Sequence, residues 1–202
     1  MKVIEQLLTN AGISPIAGVD EAGRGACAGP LVIASVVLND PFAPELAVVR
    51  DSKEIAENKR DAVFELIHQV AASVSVVIVP ASEVDSRGVH AANLDGMRRA
   101  VQGLAIEPAY VLTDGYAIEG LGLPNLAVWK GDQVVVSISA ASVIAKVTRD
   151  RIMREMDHEF PQYGFAGHKG YITAAHTKAL NEHGPCAQHR RSFANVAALI
   201  HK

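Results

Sequence analysis

The 202-residue chain is 49% hydrophobic and 20% charged, the profile of an ordinary globular protein long enough for one domain with a substantial core and a small appendage. No apolar run approaches the roughly 20 residues of a membrane span. Two cysteines far apart in sequence, Cys27 and Cys186, make no disulfide framework, so a reducing cytoplasm is expected. The net charge of −3 hides an asymmetry: residues 1–145 carry 10 basic and 17 acidic side chains, and residues 146–202 carry 9 basic and 5 acidic. A basic tail beside an acidic portion suits a metal site next to a phosphate-binding surface. Amphipathic helices with solvated basic faces would give the same asymmetry.

In chain order, "MKVIEQLLTNAG" reads as a short amphipathic helix, and Glu5 within its apolar part makes it a poor signal peptide. "SPIAGVD" and "PLVIASVVLND" read as strands. The glycines between them make a turn, so the chain opens with an antiparallel hairpin. "NKRDAVFELIHQVAA" has helical spacing, with Asn58 as its N-cap. "SVSVVIVPA" is a strand, and "HAANLDGMRRAVQGL" a helix with Leu94, Met97, Val101 and Leu104 on one stripe. "AYVLTDG" and "NLAVWKGD" are short strands ending in Asp114 and Asp132. A long helix follows from about Ser139 to Phe160. After "PQYGFAGHKGY" come a helix from about Ile172 to His183 and a last one near Val196. This order predicts an α/β fold, a mixed sheet flanked by helices (residues 1–160), with a small C-terminal helical appendage (161–202) packed on it as one functional unit.

Asp20, Asp114 and Asp132 each sit at or just past the end of an apolar strand, where ligand sites of open α/β sheets collect. Any one of them could be a turn residue. Together they would crowd repelling carboxylates, a cost that a hard divalent cation such as Mg²⁺ or Mn²⁺ relieves. Glu21 joins Asp20 only if the strand is distorted or has already ended, because strand neighbours point to opposite faces.

"GRGACAG" is a weak dinucleotide fingerprint: a strand-like segment follows it instead of a helix, and adjacent acids would repel a pyrophosphate. A plain hairpin turn is one reading. In the other, Gly23 and Gly25 let bare backbone approach a sugar edge or a phosphate.

With these residues in hand, the sequence resembles the ribonuclease HII family. "DEAGRG", "DSK" at 51–53, "LTDG" at 112–115, "KGD" at 130–132, "SAASVIAKVTRD" at 139–150, "YGFAGHKGY" at 163–171 and "HRRSF" at 189–193 match its blocks in order, from about Ile16 to Phe193. "ACAGP" replaces the larger apolar residues more usual after the glycine turn, which bears on local packing. The resemblance implies a ribonuclease H-like fold and endonucleolytic cleavage of RNA in RNA–DNA hybrids and at single ribonucleotides embedded in duplex DNA. By motif position, Asp20, Glu21, Asp114 and Asp132 become the metal-binding and catalytic carboxylates, holding Mn²⁺ or Mg²⁺, two ions during catalysis. Gly23, Arg24, Gly25 and Tyr171 become the sensors of the ribonucleotide 2′-OH. Metal-assisted hydrolysis would leave 5′-phosphate and 3′-hydroxyl ends. Without the resemblance, Tyr171 reads as a boundary aromatic.

Ser52, Lys53 and His168 lie in the matching blocks and are expected to touch substrate. Lys146 and Arg149 on a helix and Lys169 in a loop read as phosphate contacts, with solvated charge as the alternative. Ser139 and Ser142 sit where that helix begins, open to capping or phosphate contact. "HGPCAQH" (183–189) looks like half a zinc site but has no fourth ligand nearby. Cys27 has no adjoining histidine in sequence to activate it as a nucleophile. The expected partner is a hybrid or ribonucleotide-containing duplex, with no membrane, no obligate protein partner and a monomeric chain. Two rival classes are a non-catalytic nucleic-acid-binding protein on the same fold and a dinucleotide-dependent oxidoreductase.

Overall fold

The computed structural model describes residues 3–49, 52 and 55–200; Asp51 and Lys53 of the "DSK" block lie outside the described residues. The elements in order are α1 (Val3–Asn10), β1 (Ile16–Ala22), β2 (Leu31–Leu38), α2 (Glu57–Val70), β3 (Ala71–Val79), α3 (Ala81–Arg87), α4 (Val89–Gln102), β4 (Tyr110–Asp114), β5 (Asn125–Val128), α5 (Gly131–Val134), α6 (Val136–Glu159), α7 (Phe165–His168), α8 (Ala174–His183) and α9 (Ala194–Ile200). The strands form one mixed sheet in the order β3-β2-β1-β4-β5. The hairpin expected from the glycine turn is there, with β1 and β2 antiparallel and Ala22 opposite Val32. β4 joins β1 in parallel, and β5 joins β4 in parallel. The direction of connection reverses between β1 and β4, the place where open α/β sheets put their ligands.

β2 is buried along its whole length, which explains why "LVIASVVL" is a continuous apolar run without alternation. Its even-numbered residues Val32, Ala34 and Val36 pack with α2 and α6. Its odd-numbered residues Leu31, Ile33 and Val37 pack with Met97, Ala100 and Val101 of α4. The approach of α6 to β1 is too close for a side chain on the strand: a Cβ at Gly18 would lie 2.1 Å from the Ser137 carbonyl carbon. The small residues of "SAAS" on α6 serve the same close packing, Ala140 and Ala141 being fully buried.

Two helix starts and one additional helix differ from the sequence expectation. The second helix starts at Glu57 with Ala56 at the N-cap, so Asn58 lies inside its first turn and does not cap it. α3 was not expected; it is a seven-residue helix separated from α4 by Gly88 at φ 79°. α6 begins at Val136, three residues early, because its first amides are capped from far away in sequence. The buried carboxylate of Glu5 accepts hydrogen bonds from the Val136 and Ser137 N–H groups, at 2.9 and 3.0 Å, and places negative charge at the positive end of the helix.

The C-terminal helices pack on the loop 23–30. Ala28 joins Met153, Tyr163 and Phe165 in one apolar cluster, and Cys27 joins Leu180 and Val196 in another. Ala28 also forms a β-bridge with His189. The small residues of "ACAG" are therefore the ones that fit beneath this cover: Ala26, Cys27 and Ala28 are all buried.

Candidate active site

Asp20 and Asp114 sit one rung beyond the last paired residues of β1 and β4, Val19 and Thr113. Residue parity puts both on the face of the sheet that α6 covers. Asp132 reaches them by another route. β5 ends at Val128, and Lys130, at φ 52°, turns the chain into the short helix α5 that carries Asp132 in its first turn. The strand expected to run to Asp132 thus stops four residues earlier. Asp114 Oδ1 accepts from the Gly131 N–H at 2.7 Å and ties the end of β4 to this turn. One oxygen from each of Asp20, Asp114 and Asp132 falls within 4.8 Å of the other two.

Asp20 is buried, and its carboxyl is pushed well above the ordinary range, first by loss of solvation and then by repulsion from Glu21 and Asp114. The Glu21 N–H, 2.7 Å from Asp20 Oδ1, and the Ser142 hydroxyl oppose this shift. Three oxygen donors, a buried acid and mutual repulsion make a donor set that a hard divalent cation satisfies. β1 continues to Ala22, so Glu21 alternates away from Asp20 and stands outside the three-acid group, while still lining the hollow beside it.

That hollow, about 500 Å³, is lined by Asp20, Glu21, Gly23, Arg24, Gly25, Ser52, Arg60, Asp114, Ser142, Lys146 and Tyr171. Ser52 and Ser142 share a hydroxyl–hydroxyl bond of 3.0 Å. Through it the loop before α2 braces the serine that steadies Asp20. Lys146 pairs with Asp150 at 2.8 Å on the same wall. Arg60, which the sequence reading missed, donates to the Ser52 carbonyl and lies 3.9 Å from Asp150. No local pattern marked it, since it looks like any charged residue on the exposed face of a helix.

Other expected substrate contacts turn out to be internal. Arg149 is fully buried, and its guanidinium donates to the carbonyls of Pro30, Lys169 and Ala28 at 2.9, 2.8 and 3.1 Å. It lies over the Tyr171 ring, 5.4 Å from the ring centre. Ser139 caps nothing and reaches no surface: it is fully buried in the second turn of α6 and donates to the carbonyls of Asp132 and Val135. His168 receives the Gly170 N–H on Nδ1 and so donates from Nε2 to the Tyr163 carbonyl, holding the bend before Tyr171. The Lys169 ammonium is folded onto the Ala166 carbonyl and lies 3.7 Å from Glu57. Arg190, also missed, is buried and donates to the carbonyls of Gly29 and Arg24.

Gly23 has φ 90°, and a Cβ there would lie 1.9 Å from Arg149 Nε, whereas a Cβ at Gly25 would meet nothing within 4 Å. The two glycines of "GRG" therefore serve different ends: Gly23 makes room for a buried arginine, and Gly25 leaves the surface of the hollow bare. A strand follows the turn, so it is not a dinucleotide loop.

The cysteines and histidines of the C-terminal segment form no metal group among the described residues. Cys27 does approach a histidine, His176, with its Sγ 3.7 Å from Nδ1. Burial raises that thiol, and no acid is among the causes, so it is an inert core group.

Comparison with known proteins agrees with this geometry. The sequence model of the family described as Ribonuclease HII matches residues 17–196. Ribonuclease HII of Acidothermus cellulolyticus is 57% identical over 192 residues, 95% of this chain, and the chain spans 62% of that relative's length. Ribonuclease HII of Mycolicibacterium smegmatis is 54% identical over 97% of this chain and 72% of its own length. The crystal structure of ribonuclease H2 from Pyrococcus horikoshii OT3 superposes with a TM-score of 0.78 at 26% identity, covering 91% of this chain and 96% of that one. With an acidic triad at the switch point of a ribonuclease H-like sheet and a family match over almost all of its length, this chain belongs to the ribonuclease HII family.

Proposed function

We propose that this protein is an endonuclease that hydrolyses the RNA strand of RNA–DNA hybrids and cuts at single ribonucleotides in duplex DNA, leaving 5′-phosphate and 3′-hydroxyl ends. The observation that carries the reading is the set of three aspartates within 4.8 Å of one another, two of which, Asp20 and Asp114, line a hollow that also holds Gly25 and Tyr171. Asp20, Asp114 and Asp132, with Glu21 beside them, would hold Mn²⁺ or Mg²⁺. Bound there, such metal supplies Lewis-acid chemistry to phosphodiester hydrolysis, activating water and stabilising the leaving 3′-oxygen. Ser142 and Ser52 hold Asp20 in place, and the Gly131 N–H holds Asp114. Lys146 and Arg60 give the wall of the hollow the positive charge that a phosphate strand needs.

Tyr171 is 38% exposed, and it lines the same hollow as the bare backbone at Gly25. Together they form the reader of the ribose, since the 2′-OH is the handle by which a protein separates RNA from DNA at one site. Residues 1–160 and 161–202 act as one unit in this reading, because the appendage supplies Tyr171 and the core supplies the acids. No helix among the described residues is long and apolar enough to cross a membrane. The test is cleavage of duplex DNA carrying one ribonucleotide, with Mn²⁺, with Mg²⁺ and with chelator. Cutting 5′ or 3′ of that nucleotide only with metal supports the reading; intact duplex under every condition refutes it.

A further inference from the structure

The three aspartates stand between two hollows. The first holds Gly25 and Tyr171. The second, about 530 Å³, is lined by Tyr116, Trp129, Lys130 and Gln133 together with Asp132, and the two share Glu21, Arg24 and Asp114. A nucleic-acid strand whose scissile phosphate lies at the aspartates must place one nucleotide on each side of that phosphate. The ribose reader occupies one side, and the second hollow faces the other.

Trp129 is the only tryptophan of the chain, and it is 83% exposed. Leaving the largest aromatic side chain in water forgoes the burial that normally stabilises it, and tryptophan is enriched at interfaces. The local backbone presents it: the left-handed turn at Lys130 sends Asp132 inward, while Trp129 and Lys130 remain exposed on the rim. The neighbouring aromatic, Tyr116, is already engaged, with the Arg24 guanidinium 4.6 Å from its ring centre and the His90 ring at 5.4 Å. Trp129 stacks on no ring among the described residues, so its indole face is open.

We propose that Trp129 is the platform for the sugar face and base edge of the nucleotide across the scissile phosphate from the one read by Tyr171, with Lys130 beside it on the adjoining backbone phosphate. This rests on the ribonuclease reading. The wide, shallow minor groove of an A-form-like duplex exposes sugars and base edges to such a side chain, and a π-face accepts any sequence. Lys130 adds a contact that carries no sequence information.

Because the chain has one tryptophan, its emission reports on this position alone. The full-length Asp132→Asn chain would be titrated with a dye-labelled duplex containing one ribonucleotide, reading anisotropy for binding and tryptophan emission for Trp129. Emission should change along the same curve as anisotropy. Trp129→Ala should weaken binding about tenfold and Trp129→Phe about threefold, with melting temperature unchanged because the side chain is exposed. In the otherwise wild-type enzyme, Trp129→Ala should raise KM with little change in kcat. Binding by the Asp132→Asn chain with unchanged emission, or undiminished affinity when Trp129→Ala is added to it, overturns the platform and leaves the ribonuclease reading standing. Failure of the wild-type chain to bind or cut the duplex at all brings down both.

Discussion

Two groups of buried charge lie on opposite sides of the glycine turn, and they are stabilised in contrasting ways. Asp20, Asp114 and Asp132 are like charges crowded within 4.8 Å of one another, a donor set that could hold a divalent cation. Arg149 and Arg190 are also like charges buried close together. Loss of solvation, and then repulsion from Arg149, pushes Arg190 down to about 10, still charged at neutral pH. Neither arginine makes an ion pair with a carboxylate among the described residues. Five backbone carbonyls, those of Arg24, Ala28, Gly29, Pro30 and Lys169, receive their N–H groups instead. Backbone carbonyls anchor both arginines within the fold, with Arg190 Nη2 alone among their buried nitrogens left unpaired; the aspartates instead line open hollows. Buried charge alone does not identify function; crowded like charges that line a hollow mark a candidate site.

The comparison breaks most sharply under substitution on the acidic side. Asp20→Asn or Asp132→Asn would remove a proposed ligand and also a source of repulsion. Cleavage should fall by about 10³-fold or more, since bound metal contributes several kcal/mol to the transition state. The same variants should unfold in chelator at the same temperature as wild type or slightly higher. Single-turnover cleavage and thermal melts, run side by side, measure both. A variant that melts much earlier would show that the carboxylates are structural.

On the arginine side the pattern should invert. Arg149→Met leaves three buried carbonyls without donors, at about 1–3 kcal/mol each when uncompensated. A loss of at least about 3 kcal/mol is expected, equal with and without metal. Arg149→Lys keeps the charge but cannot span three carbonyls, so it should fall between. Urea unfolding of the three proteins gives the order. An Arg149→Met chain that is fully stable yet inactive would make Arg149 a substrate contact after all.

The histidines behind Tyr171, like Arg149, are polar groups satisfied within the fold. His176 donates from Nδ1 to the Tyr171 carbonyl at 3.0 Å, and its Nε2 accepts from His189 Nε2–H at 3.1 Å. His189 Nδ1 in turn accepts the Cys186 N–H. Both rings are held neutral, with every nitrogen used. Burial, and then the neighbouring His176, lowers His189 to about 4; burial also lowers His176. A histidine whose folded value lies below its unfolded 6.5 stabilises the protein above pH 6.5, and that stability is lost as pH falls from 6.5 towards 4. For His189 the full loss is about 3 kcal/mol. Unfolding free energy measured across this range should fall with acid, and His189→Gln should flatten the slope. An equal slope in the variant would place the acid sensitivity elsewhere.

Much of this was legible in the sequence because the acids and glycines sit in local patterns. A charge that ends an apolar strand stands out, as Asp20 and Asp114 do, and the hairpin follows from glycines between two apolar runs. The rest depends on long-range pairing that no local pattern carries. Nothing around Glu5 shows that it caps a helix 131 residues later. Arg149 looks like a solvated helix cation until the loop at 28–30 closes over it. Asp132 appeared to end a strand because "NLAVWK" is apolar to its last residues, and the left-handed turn at Lys130 has no glycine to announce it. Trp129 passed as part of that strand.

The smallest effect on the fold is expected at Gly25, and it separates the two halves of the glycine turn. Gly23→Ala forces a side chain onto Arg149 at a positive φ and should damage the arginine layer as Arg149→Met does. Gly25 has neither constraint, with open space around its Cβ position and no positive φ. Gly25→Ala should therefore change stability by no more than about 0.5 kcal/mol. Any loss of cleavage must then come from the added methyl standing in the hollow beside Tyr171. If bare backbone at Gly25 meets the ribose, Gly25→Ala should slow cutting at a lone ribonucleotide more than within a long hybrid, where further 2′-hydroxyls and phosphates hold the register. Kinetics on both substrates, with a melt to confirm the fold, decide it. Unchanged rates on both would mean that the substrate does not approach Gly25, and that only Gly23 is required in this turn, for the sake of the arginine beneath it.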